Sequence, residues 1–212
     1  DRDAPGFDDH LNGALGIDLS GVGVTANDAC DSDGGANMLQ NCPVLAQAVT
    51  GNGTTIRGTL NSRPNQPLLL QFFANPACDG AGAGEGQIYL GQQSVTTSNN
   101  CLTSFVASFP GSVAMGYDVT ATATDGANNT SEFSACIPVG PVPALAVSPA
   151  PGQQATLAWT NTAAGFVLKQ TSSLSPVIQW TTVTNAPVII NGQFVVTVST
   201  TNTSRFYRLS FE

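Results

Sequence analysis

The chain has 212 residues, a formal net charge of −8 at pH 7, and only 9% charged residues. That length accommodates one large or two modest domains, each with a real hydrophobic core. Thr, Ser, Asn, Gln and Gly supply most of the polarity, which is typical of secreted β-proteins and argues against long surface helices.

The negative charge is concentrated at the N-terminal end. Residues 1–33 carry a net charge of −7, residues 34–143 carry −3, and residues 144–212 carry +2. No basic stripe is available for a phosphate backbone, so nucleic-acid binding is not expected. The acidic head and the weakly basic tail are expected to attract each other between copies. No apolar run approaches the roughly 20 residues that span a bilayer.

Seven short stretches of alternating apolar and polar residues, separated by turn-forming clusters, predict seven strands. They cover 44–50, 54–61, 67–75, 87–97, 102–109, 117–125 and 131–139. Seven strands at this spacing indicate an immunoglobulin-like β-sandwich over residues 44–139. In the sixth strand, the alternation predicts Tyr117 and Val119 in the core and Thr120 and Thr122 on the outside.

The proline-rich stretch 138–152 contains five of the 13 prolines of the chain. Because proline lacks a backbone donor, this composition predicts a semi-rigid linker over residues 140–152. Strand patterns resume beyond it and predict a smaller, fibronectin-III-like β-sandwich over 153–212. Asn191 and Gly192 separate two of these strands and predict a type I′ hairpin turn. Residues 1–43 form a separate acidic segment, and the predicted fold class is all-β.

Long stretches of the chain resemble known bacterial modules. "GALGIDLSGVGVTANDACDSDGGANMLQNCPVL", "GTLNSRPNQPLLLQFFANPACDGAGAGEGQIYLG" and "VTATATDGANNTSEFSAC" resemble an immunoglobulin-like module that follows right-handed parallel β-helices in large bacterial surface and secreted proteins. The match runs through most of residues 12–138. The tail from "LAWTNTAAGF" to "RFYRLS" resembles a small C-terminal module common on secreted proteins of Verrucomicrobia and their relatives. Both resemblances imply an extracellular scaffold.

The five cysteines favour disulfides in an oxidising compartment. The resemblance implies one pair, because Cys78 and Cys136 stand where the module often keeps cysteines. Cys30 and Cys42 replace a proline and an aromatic residue of the module, which suggests that they bond each other. Cys101 is then left over, although it is also placed to pair with Cys78.

The sequence offers little for catalysis, and we expect no enzyme. His10 lies in a polar, Asp-rich segment and is interpreted as a solvated residue. Glu85 and Glu132 are a candidate glycosidase pair, but both stand at turns and are interpreted as structural. Trp159 and Trp180 lie in alternating strands, where a buried core position is expected. The alternative for the tryptophans is a platform that stacks sugars.

The acidic loop at residues 27–37 predicts a calcium site. Asp31, Asp33 and Asn37 stand at alternate positions among glycines, and Asp18 and Asp28 could complete the oxygen ligands that hard cations require. The spacing departs from an EF-hand, since Ala36 and Cys42 occupy the positions of its glycine and its bidentate glutamate. The alternative is a loop of Asx turns without a metal.

The expected function is that of a non-enzymatic extracellular structural or adhesive module. It is expected to associate with itself or with neighbouring modules, as the subunit of a bacterial surface filament does, through strand addition by the polar N-terminal run. The alternative is a carbohydrate-binding accessory module of a larger secreted polysaccharide-degrading enzyme, with a glycan as ligand.

Overall fold

The computed structural model describes residues 15–20, 23–161, 165–175, 177–201 and 204–211. The chain divides after Pro141 into two compact units. Both consist of β-sheet, so the all-β fold class with two β-sandwiches is confirmed. No helix in the described ranges has the length and apolar character to cross a membrane. His10 lies outside these ranges.

The first unit contains seven strands. They are β1 Val44–Thr50, β2 Thr54–Asn61, β3 Pro67–Asn75, β4 Ile88–Thr96, β5 Leu102–Phe109, β6 Asp118–Asp125 and β7 Ile137–Pro141. The strand order is β4-β3-β6-β7-β1-β2-β5, in which β7 pairs antiparallel with β6 and parallel with β1. Both ends of β1, β2, β3 and β5 were predicted correctly. The last strand starts six residues later than predicted, because residues 131–136 run irregularly beside β6.

The core of this unit follows from strict alternation. In β2, every second residue is buried, including Ile56 and Leu60. Phe72 of β3 is fully buried and packs edge-on against Phe105 of β5, with 5.6 Å between the ring centroids. Such aromatic pairs add to the free energy gained from apolar burial, so the period-2 pattern of the sequence defines the interior of the sandwich.

Strand β6 departs from the predicted alternation. Thr120 and Thr122, expected on the outside, are 0% and 2% exposed. Thr120 is buried because the glycine-rich loop at residues 80–86, before β4, covers it on the outer face of β6. A Cβ atom at Gly84 would lie 1.9 Å from Thr120 Cγ2, so only glycine permits this approach. Thr120 Oγ1 donates to the carbonyl of Glu85 at 3.1 Å.

The same loop is bonded to the segment that leads into β7. Cys78 forms a disulfide with Cys136, as the resemblance implied. Ala83 forms an isolated antiparallel bridge with Ala135. The loop therefore forms a fixed outer layer over β6.

The second unit has two small sheets. One has the order β12-β13-β9-β8 and the other β11-β10-β14. The strands are β8 Ala146–Ala150, β9 Gln154–Thr160, β10 Phe166–Thr171, β11 Thr181–Thr182, β12 Val188–Ile190, β13 Gln193–Ser199 and β14 Phe206–Phe211.

The predicted linker over 140–152 is wrong. Its first residues belong to β7, and Ala146–Ala150 forms strand β8, which pairs with β9. Pro149 lies within β8 opposite Ala155. Strand β8 is at the edge of its sheet, where a missing backbone donor costs no ladder hydrogen bond. The boundary between the units is the step from Pro141 to Val142.

The core of the second unit is centred on Trp159, which is 2% exposed as predicted and packs against Phe194. Trp180, predicted as a core residue, is only partly buried and is not part of this cluster. Asn191 and Gly192 both have positive φ and join β12 to β13, which confirms the predicted hairpin.

Candidate metal centre

A disulfide fixes the acidic loop to the sandwich. Cys30 is bonded to Cys101, at the start of β5, and not to Cys42. The backbone N–H of Cys30 also donates to Asn61 Oδ1 at the end of β2, at 2.7 Å. The prediction of a Cys30–Cys42 bridge is therefore wrong. The loop docks onto the ends of β2 and β5, which brings Cys101 to Cys30, whereas Cys42 faces Asn27.

Two asparagine side chains attach the N-terminal segment to the start of the first strand. The Asn27 amide exchanges two hydrogen bonds with the backbone of Cys42, at 2.8 and 2.9 Å. The Asn41 amide does the same with the backbone of Asp28, at 3.0 and 2.8 Å. Because each amide both donates and accepts, the pairs imitate a strand ladder. Sequence reasoning missed both residues, although asparagines flanking a loop are a usable signal for such bonds.

The loop also concentrates unusual backbone conformations. Ten non-glycine residues with positive φ occur in the described part of the chain, and five of them fall within residues 30–39. They are Cys30, Asp31, Asn37, Met38 and Leu39. Each left-handed residue costs roughly 1–2 kcal/mol, and such residues persist only where surrounding contacts impose them. The loop is thus held in a specific shape by the bonds described above.

Three aspartates of the loop converge. One carboxylate oxygen from each of Asp28, Asp31 and Asp33 lies within 4.8 Å of the others. Asp31 is 1% exposed and accepts hydrogen bonds from the Asn41 N–H at 2.8 Å and the Ser62 hydroxyl at 2.9 Å. Asp33 Oδ1 is buried and has no hydrogen-bond partner among the described residues. This group of three carboxylates is called the Asp triad below.

Burial and hydrogen bonding shift the pKa values of the triad's carboxyl groups in opposite directions. Burial raises the pKa of Asp31, and the bonds from Asn41 and Ser62 and the charge of Arg63 only partly offset it. The hydrogen bond from the Ser32 hydroxyl lowers the pKa of Asp28. Arg63 Nε donates to the carbonyl of Asp31 at 3.2 Å, so one guanidinium lies beside Asp31.

Two of the predicted ligands are not placed in the triad. Asp18 lies outside the group, and its Oδ1 accepts the N–H of Ser20 at 3.2 Å. Asn37 directs its amide nitrogen to the carbonyl of Thr130 at 3.1 Å. Asp18 is remote because the segment before residue 27 follows a different route, toward Glu132.

Glu132 is a buried carboxylate that holds this segment, a role the sequence did not indicate. It is 4% exposed and accepts the backbone N–H of Leu19 at 2.9 Å and that of Thr25 at 2.7 Å. It also accepts the Thr25 hydroxyl at 2.9 Å. Three donors therefore bind its two oxygens and fix the segment to Glu132.

Asp125 organises the loop after β6 in a similar way. Its Oδ1 accepts the N–H groups of Ala127 and Asn129, and its Oδ2 accepts the Asn129 and Gln66 amides. Partial burial raises the pKa of Asp125, but the bonds from Asn129, Ala127 and Gln66 together bring it below its ordinary value. Three carboxylates, at Asp31, Asp125 and Glu132, therefore bind backbone N–H groups of loops.

Cys42 remains a thiol. Burial raises its pKa to about 11. Because the thiolate is the reactive form, Cys42 is poorly nucleophilic at neutral pH.

Comparison with known proteins finds weak structural likenesses. No family model and no curated protein matches the chain. Among solved structures, red sea bream transglutaminase is 17% identical over 81% of this chain with a TM-score of 0.30, and the chain spans 27% of that enzyme. A chain of a crystallised cytokine receptor complex is 13% identical over 79% of this chain and 86% of its own, with a TM-score of 0.26. Likenesses this weak carry no argument about function.

Proposed function

We propose that the protein is a non-enzymatic structural or adhesive module of the extracellular space, built to keep its loops fixed. The observation that carries this proposal is that carboxylates accept backbone N–H groups and so fix the loops in place. Asp31, Asp125 and Glu132 accept backbone N–H groups of Asn41, of the loop after β6 and of the N-terminal segment, respectively. Two disulfides, which span 71 and 58 residues, add covalent ties. Such bonds persist in oxidising environments outside the cytosol.

Calcium binding by the Asp triad is the second part of the proposal. Clustered carboxylates repel, and a cation among them removes that repulsion. The buried Oδ1 of Asp33 lacks a donor among the described residues, and calcium supplies the positive partner that such an atom requires. The remaining ligands are backbone carbonyls and water, because calcium takes about 6–8 oxygens. In this role calcium stabilises the strained acidic loop, which docks onto the ends of β2 and β5.

Calorimetric unfolding tests the calcium proposal. The melting temperature of the full chain is expected to fall when EDTA replaces millimolar calcium, because a ligand that binds only the folded state stabilises it. Magnesium at the same concentration is the control, and it should give a smaller shift since it requires a tighter octahedral site. A melting temperature that is the same in EDTA and in calcium leaves the loop as an Asx-rich turn anchored by Cys30 and Cys101.

Self-association is the third part of the proposal and rests on the uneven charge. The net charge of −7 in residues 1–33 and of +2 in residues 144–212 favours contacts between the head of one copy and the tail of another. Negative-stain microscopy of material from the native source should show assemblies that dissociate at high salt. A strict monomer at high concentration and low salt contradicts this part and leaves the calcium proposal standing.

The carbohydrate-binding alternative keeps only one of its two candidate residues. Trp159 is 2% exposed within the core and cannot stack on a sugar. Trp180 is partly exposed and lies beside a cation.

A further inference from the structure

One face of the three-stranded sheet in the second unit presents two cations side by side. The antiparallel register places Lys169 of β10 directly opposite Arg208 of β14. The preceding pair in the register, Leu168 and Leu209, contributes to the core. Because side chains alternate across a strand, Lys169 and Arg208 project from the opposite, outer face. Thr182 of β11, opposite Lys169 on its other side, shares that face.

An indole ring fixes one of these cations. The guanidinium carbon of Arg208 lies 4.4 Å from the centroid of the Trp180 ring, a distance typical of cation–π contacts. Stacking restricts the arginine side chain, so less entropy is lost when it binds an anion. Trp180 is itself partly exposed. The outer face thus combines a positioned guanidinium with flat apolar surface, and is called the Arg208 face below.

The charge around the Arg208 face favours an anion. Residues 170–204 contain no charged side chain, so none of them contributes a carboxylate that would compete. Lys169 and Arg208 are directly opposed across the strand pair, so an anion bound at Arg208 also lies near the charge of Lys169. Lys169 also makes a contact of its own, so its contribution is its charge and its position in the register.

We propose that the Arg208 face binds an acidic polysaccharide. The carboxylate of a uronic acid residue is held between Arg208 and Lys169, and the sugar ring lies against the exposed part of Trp180. Guanidinium and ammonium groups bind carboxylates through charge-assisted hydrogen bonds, whereas an aromatic ring packs against the apolar face of a sugar. The exposed hydroxyl of Thr182 is available to a sugar hydroxyl. This inference gives the adhesive module a ligand class and does not depend on calcium.

The test uses the full chain and polygalacturonate as the probe, with neutral dextran of similar length as the control polymer. At low ionic strength the wild type is expected to bind polygalacturonate and not dextran. Arg208→Gln should weaken binding by about tenfold or more, the loss expected for a hydrogen bond between charged groups. Arg205→Gln is the matched control, since it removes the same charge three residues away, and it should change affinity by less than about twofold.

Lys169→Gln should also weaken binding of polygalacturonate. Because it leaves the contact between Arg208 and Trp180 in place, it tests the proposal even if Arg208→Gln disturbs folding. Equal losses in Arg205→Gln and Arg208→Gln would show diffuse attraction and overturn the proposal. Absence of wild-type binding would overturn it as well. A synthetic peptide of residues 1–13 that binds this face in place of polygalacturonate would identify the acidic segment of a second copy as the occupant, and so would also overturn it.

Discussion

Replacing Cys101 with serine is expected to destabilise the first unit by about 4 kcal/mol, the value that the chain-entropy model gives for a loop of 71 residues. The bond joins the acidic loop to the start of β5, so its loss frees both the loop and the Asp triad. Guanidinium unfolding monitored by circular dichroism measures the change in the free energy of unfolding. Cys30→Ser should give the same loss, because either substitution removes the same bond.

Cys42→Ser is the control that makes this prediction decisive. The structure leaves Cys42 as a thiol, so its replacement should change stability by no more than about 1 kcal/mol. The alternative pairing of Cys30 with Cys42 reverses the pattern, with a large loss for Cys42→Ser and almost none for Cys101→Ser. Mass mapping of non-reduced peptides gives an independent answer. A peptide that links residues 30 and 42 would refute the pairing described above.

Three further predictions concern the glycine-rich loop, Glu132 and the Asp triad. Gly84→Ala should destabilise the protein by about 1–3 kcal/mol in thermal unfolding, because its Cβ would lie 1.9 Å from the methyl group of the buried Thr120. Gly80→Ala is the control and should leave the stability unchanged, because open space surrounds Gly80. Glu132→Gln should lower the free energy of unfolding by about 1.5–3 kcal/mol and speed hydrogen exchange at the Thr25 amide, which donates to Glu132. Unchanged exchange at this amide would contradict the role of Glu132 in fixing the N-terminal segment. Calcium affinity should weaken as pH falls toward the pKa of Asp31, and this should begin at a higher pH than for an ordinary aspartate, because a carboxylate must lose its proton to bind metal and burial raises the pKa of Asp31. A pH-independent affinity measured by titration calorimetry would exclude Asp31 as a ligand.

Local patterns predicted the elements whose surroundings are simple. Strand β2 alternates because one face covers the core and the other faces solvent, so period 2 in the sequence gave its ends correctly. The Asn191–Gly192 turn was equally accessible, since its chemistry is contained in two residues.

Features that depend on distant segments could not be predicted in this way. Thr120 is buried because a loop some 35 residues earlier lies over it. The partner of Cys30 is decided by where the acidic loop docks, and that depends on Asn61 and the start of β5. Pro149 suggested a linker, and only the position of β8 at a sheet edge makes a proline acceptable there.

The candidate site was predicted in part for the same reason. Asp28, Asp31 and Asp33 are close in sequence and converge in space. Asp18 was included by proximity along the chain, but Glu132 binds the neighbouring N–H of Leu19 and draws that segment elsewhere. A sequence pattern can identify a cluster of carboxylates, whereas the bonds that shape the cluster come from the folded sandwich.

Titration calorimetry of calcium into metal-stripped protein tests the central claim, that the Asp triad is a calcium-binding brace, most directly. The wild type is expected to bind one calcium ion with a Kd of about 10⁻⁴ to 10⁻³ M, the range of extracellular modules with shallow sites. Asp33→Asn should abolish the heat of binding, because Asp33 contributes a buried oxygen that has no donor in the described part of the chain. Asp18→Asn should leave the heat unchanged, because Asp18 lies outside the triad. No heat in the wild type, or equal heats in the wild type and Asp33→Asn, would contradict the account.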